Sequence, residues 1–120
     1  DNVIEFKVEK DGFIVKGEDS AEFLEEKLKI LGLTDREAEE FIIYWLPKLE
    51  ANKYNYIRFA TREEIDANMP LIITPTPDTT IRVLMEYKRL ENPIEVEEQK
   101  LESVERKGFV AVEWGGTEIK

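Results

Sequence analysis

The chain has 120 residues, with 27 acidic against 17 basic side chains, no histidine and no cysteine, and a formal net charge of −10. Zinc, haem and iron–sulfur sites built on His or Cys ligands are therefore excluded within the chain, as are thiol nucleophiles and His-assisted serine catalysis. Hydrophobic residues reach 42% and aromatic ones 10%, spread along the whole length, so the charge belongs to a folded acidic domain rather than a disordered segment.

Ile4, Phe6 and Val8 alternate along residues 3–9 and predict a half-buried strand. Asp11-Gly12 then suits a type I′ turn, and residues 13–16 return, which predicts an N-terminal hairpin. Asp19 or Ser20 offers a helix N-cap with Glu22 placed to close a capping box, and Phe23, Leu24, Leu28 and Leu31 recur at helical spacing until Gly32 stops them. Thr34 and Glu37 form a second capping box, opening a helix striped with Ala38, Phe41, Ile42, Trp45 and Leu49. A link of about three residues makes the two helices a hairpin. Pro47 sits late in the second helix and is expected to end it there, or to kink it near Leu46 by crowding the Ile43 carbonyl.

Residues 55–59 alternate again as a strand, and Thr61 with Glu64 caps a short helix that Pro70 bars from extending. Residues 71–73 read as a short strand and residues 75–78 as a rigid turn. Ile81, Val83, Met85 and Tyr87 share one face of the clearest strand. Residues 93–96, with Pro93, Glu95 and Glu97, read as a blunted edge strand. The last strand, residues 109–114, is expected to stop at Gly115-Gly116. Most strands follow one another directly. The predicted fold is therefore a single α+β domain over residues 1–120, an antiparallel or mixed sheet with an N-terminal hairpin and the helix pair packed on one face. The start without Met is expected of a piece of a longer protein.

Without thiols or imidazoles, chemistry would fall to carboxylates. Glu113, inside an apolar strand beside Trp114, is the one candidate for a carboxylate-only hydrolase. A carboxylate there more often pairs with an arginine of a neighbouring strand, and Arg82 and Arg58 are the expected partners. Glu95, Glu97, Glu98, Glu102 and Glu105 lack calcium-loop spacing and read as a solvated edge, so no metal or cofactor is expected. Among the aromatics, Trp45 belongs to the core stripe. Tyr54 and Tyr56, flanked by Asn52, Lys53 and Asn55, are the expected exposed contacts, and with Trp114 they supply platforms for a carbohydrate-binding alternative. Scattered basic residues give no nucleic-acid footprint, and no run is apolar enough to insert in a membrane. Abundant Glu, Lys and Ile suit a heat-loving source.

Tyr44-Trp45-Leu46-Pro47, the run from Asn52 to Phe59, the segment from Pro75 to Val83, and Arg106-Lys107-Gly108-Phe109 followed by Val112-Glu113-Trp114-Gly115-Gly116 together resemble a recurring prokaryotic module. That module lies near the C-terminus of larger secreted or cell-envelope proteins and carries no assigned activity. The resemblance covers nearly the whole chain. It implies an extracytoplasmic, non-catalytic unit with a structural or protein-interaction role, whose partners are adjacent domains of its parent or another envelope protein.

Overall fold

The computed structural model describes residues 10–120. They form β1 (Phe13–Lys16), α1 (Ser20–Ile30), α2 (Asp35–Glu50), β2 (Tyr54–Phe59), α3 (Arg62–Asn68), β3 (Thr79–Leu90) and β4 (Val110–Glu118), an α+β fold. The sheet is mixed, in the order β1-β2-β3-β4. β1 pairs antiparallel with β2 and β2 antiparallel with β3, whereas β4 lies parallel to β3. The first strand of the expected hairpin, residues 3–9, falls outside the described residues.

Strand periodicity decides which face is buried. Ile81, Val83, Met85 and Tyr87 of β3 are all buried, and the register sets them beside Phe59 and Ile57 of β2 and beside Val112, Trp114 and Gly116 of β4. Onto that face pack Leu24 and Leu28 of α1 and Ala38, Phe41, Trp45 and Leu49 of α2. Each large side chain so buried contributes about 1.5–3 kcal/mol. The helix hairpin is closed by a Schellman motif: Leu33 N–H donates to Leu28 O and Gly32 N–H to Lys29 O, both at 3.1 Å, with Gly32 at φ 101°. The Thr34–Glu37 and Thr61–Glu64 capping boxes both form.

Several local expectations fail. Asp19 sits at the N-cap of α1 without a side-chain cap bond, because a 3₁₀ turn, Gly17–Asp19, leads directly into the helix. Gly17 fixes that entry: its N–H donates to Lys53 O at 2.9 Å, and a Cβ there would strike Asn52 O. Pro47 does not end α2, which continues to Glu50; it lies on the exposed side of the helix. Residues 71–73 are not a strand. They run irregularly beside α3 with no sheet neighbour, and Ile72 is 92% exposed.

Residues 93–96 are not a strand either, and only Glu98 bridges to the chain, at Gly12. Finally, β4 runs through Gly115 and Gly116 to Glu118. A Cβ on Gly116 would lie 2.8 Å from Trp45 Cζ2, so that glycine is the seat on which the indole rests rather than a strand terminator.

The connection from β3 to β4, residues 91–109, contains no helix. It borders β1, then crosses the end of the sheet, pinned in turn by Gln99, Arg106, Thr79 and Asp78. Gln99 replaces a missing strand residue. Its Nε2 donates to Phe59 O at 2.6 Å, its Oε1 accepts from Phe59 N–H at 3.0 Å, and its own N–H donates to Gly12 O.

Candidate functional site

The sheet face opposite the helix pair carries the charged residues singled out in the sequence. β2 places Arg58 there, β3 places Arg82 and Glu86, and β4 places Glu113, because the register sets Arg58 opposite Glu86 and Arg82 opposite Glu113. Arg82 Nε and Nη2 reach the two Glu113 carboxylate oxygens at 3.3 Å each. The same guanidinium bonds Asp66 of α3 at 3.2 Å and the Met69 carbonyl. Arg58, the alternative partner of Glu113, instead gathers Asp11 at 3.1 Å, Glu64 at 2.8 Å and Glu86 at 3.5 Å. The two arginine side chains are nearly sealed, at 8% and 3% exposed, so each needs this ring of anions to offset the loss of water.

Their combined effect is to strap α3 onto the sheet. Glu64 accepts from the Thr61 N–H, from Arg58 and from Lys10, and it is held at a pKa of about 2, chiefly by the Thr61 bond and, against burial, by Arg58 and Lys10. Hydrogen bonds from Arg62 and then Arg82 hold the Asp66 carboxyl low. At the other end of the molecule, burial works against ionisation of Glu37, but Arg106 and the Thr34 N–H outweigh it and lower its pKa. Arg106 also donates to Gly32 O at 2.8 Å, which ties the connection to the helix hairpin.

Glu113 remains half exposed, with both oxygens committed to one guanidinium. Among the described residues, no group of three or more carboxylates is placed to hold a metal ion, and no helix is long and apolar enough to cross a membrane. The aromatic trio is not brought together. Tyr56, expected to be exposed, is 3% exposed: its ring lies against Gly12 with its hydroxyl donating to Asp11 O at 2.8 Å, and burial raises its pKa. Trp114 is half-buried on the opposite, helix-covered face, edge-on to Phe41 with ring centroids 5.4 Å apart. Tyr54 is half-exposed at the start of β2.

The exposed large apolar side chains lie elsewhere, at Ile43 and Tyr44 of α2, at Met69, Leu71 and Ile72 after α3, and at Val104 and Phe109 in the β3–β4 connection. Gln99 and Asp66 went unmarked in the sequence, where neither lies in a capping or alternating pattern. Arg106 entered the sequence reading only as part of the Arg106-Lys107-Gly108-Phe109 run, with no partner assigned. No protein-family model matches the chain, and neither a curated protein nor a solved structure matches it.

Proposed function

We propose that this chain is a non-catalytic structural or protein-interaction module of a prokaryotic secreted or cell-surface protein, docking onto adjacent domains of its parent or onto another envelope protein. The observation that carries the reading is the placement of apolar side chains in water. Met69, Leu71 and Ile72 lie close in sequence after α3 at 41%, 43% and 92% exposed, and Ile43 and Tyr44 adjoin on α2 at 68% and 56%, two local groups of apolar side chains of the kind that contact surfaces use. The one carboxylate singled out for chemistry supports it too, since Glu113 is committed to an internal ion pair with Arg82. The carbohydrate alternative is weakened, because Tyr56 is buried and Trp114 packs on Phe41, which leaves Tyr54 apart from both.

Two measurements test the proposal. Assayed against ester, glycoside, peptide and phosphoester substrates, the purified chain is expected to give no turnover above buffer; turnover that vanishes in Glu113→Gln would revive the hydrolase reading. Fractionation of a prokaryotic host expressing the parent protein is expected to place the module outside the cytoplasmic membrane, and a purely cytoplasmic pool overturns that part.

A further inference from the structure

Glu40, Tyr44 and Lys48 of α2 follow one another at helical i, i+4 spacing, so they form one row along the outer side of the helix, each about 6 Å from the next. All three are exposed, as are Ile43 and Pro47 beside them, and Ile43 and Tyr44 show 68% and 56% of their surface to water. Neither charge of the row is firmly held inside the chain. Among the described residues Lys48 has no ion pair, and its Nζ rests over the Tyr44 ring, 5.5 Å from the centroid. Glu40 approaches only Arg36 Nε, at 3.9 Å, beyond hydrogen-bond range and with the arginine side chain 90% exposed, a contact worth little. The row faces away from the sheet on its helix-covered side, whereas Lys10, where the described chain begins, is held on the other side by Glu64.

We infer that this face of α2 is the contact through which two copies of the chain associate, antiparallel about a two-fold axis at Tyr44. The inference rests on the reading of the chain as an interaction module and names the partner of one of its two apolar groups. Charge order selects that partner. The row reads acid, aromatic, base along the helix, and its complement is base, aromatic, acid, which the same helix presents when turned end for end. In such a pair Tyr44 meets Tyr44 of the second copy, and Glu40 of each copy faces Lys48 of the other, so a single match is made twice. Ile43 and Pro47 close beside them, and the two helix dipoles run opposed. The surplus of ten negative charges on each copy resists association. It is spread over the molecule, however, and salt at 0.15 M screens it beyond about 8 Å, whereas the paired charges lie in contact.

The test is sedimentation equilibrium of the full chain in about 0.15 M salt, at concentrations up to about 1 mM, where a monomer–dimer equilibrium is expected. E40K and K48E each set like charges together at both symmetric contacts and are expected to weaken the dimer by about tenfold or more. E40K also makes the chain less acidic, so a dimer limited by general repulsion would tighten instead. The double variant E40K/K48E is expected to restore the dimer. An equimolar mixture of the two single variants is expected to form a heterodimer, because each supplies the charge that the other lacks. E25K, the same charge change at an exposed site on α1, leaves dimerisation near the wild-type value. Should a charge variant fail to fold, Y44S on the same exposed row is expected to weaken the dimer likewise.

A wild-type chain that stays monomeric throughout, a dimer that E40K and K48E leave unchanged, or single variants that do not pair when mixed overturns the inference. Turnover in the substrate assays would sink the non-catalytic reading and leave the dimer standing. A chain monomeric at every concentration does the reverse, since the apolar group at Met69, Leu71 and Ile72 still supports docking to another protein.

Discussion

Arg58 and Arg82 show how a few side chains decide the shape of one sheet face. A nearly sealed guanidinium missing one anion is left with an uncompensated charge, so each carboxylate around it contributes more than an exposed ion pair would. Glu64 is the clearest case. Its folded pKa of about 2 lies below the ordinary value of 4.5, so the stability it confers is fully present above pH 4.5 and is lost as pH falls toward 2. With the side chain 31% exposed, that contribution comes to about 1–2 kcal/mol after allowance for solvent screening. Urea melts of the wild type and Glu64→Gln are therefore expected to differ by this amount at pH 7 and to converge as pH approaches 2; a gap independent of pH would show that the carboxylate's charge is not the cause. An arginine partner for Glu113 was legible in the sequence because a carboxylate within an apolar strand needs a cation, but the choice of Arg82 over Arg58 was not, since it depends on β4 pairing beside β3. Asp66 was not, since it reaches Arg82 from a helix whose placement no local pattern dictates.

At the scale of elements, what could be read was what is local. Both helix caps that place a threonine three residues before a glutamate form as expected, as does the buried alternation of β3. Two of the misread places involve distant partners: Trp45 rests on Gly116 where β4 continues, and Asn52 lies against Gly17 where the chain enters α1. The clearest long-range substitution is Gln99, whose amide satisfies both backbone groups of Phe59 where β1 has turned away. Gln99→Ala would leave a buried donor and acceptor unpaired, an expected loss of about 2–6 kcal/mol at about 1–3 per group. Faster amide exchange at Phe59 should accompany the loss in stability, and an unchanged Phe59 amide would deny the side chain this role.

Over the whole molecule, an excess of ten negative charges opposes compaction, while the exposed ion pairs on α2 and α3 contribute little. Sodium chloride screens the repulsion first, because the arginines at the centre of the sheet are withdrawn from solvent. Raising it to about 0.5 M is expected to increase the thermal midpoint by a few degrees at pH 7. A fall in the midpoint would mean that the ion pairs, not the surplus charge, dominate the electrostatics.

The unhelical link between β3 and β4 also makes the fourth strand dependent on a long stretch of chain. Until Val110–Glu118 docks, the outer edge of β3, with Ile81, Val83 and Met85 on its buried face, has no strand beside it. A chain ended at residue 109 is therefore expected to aggregate under conditions in which the full chain stays in solution, because an unguarded apolar strand edge pairs with other chains.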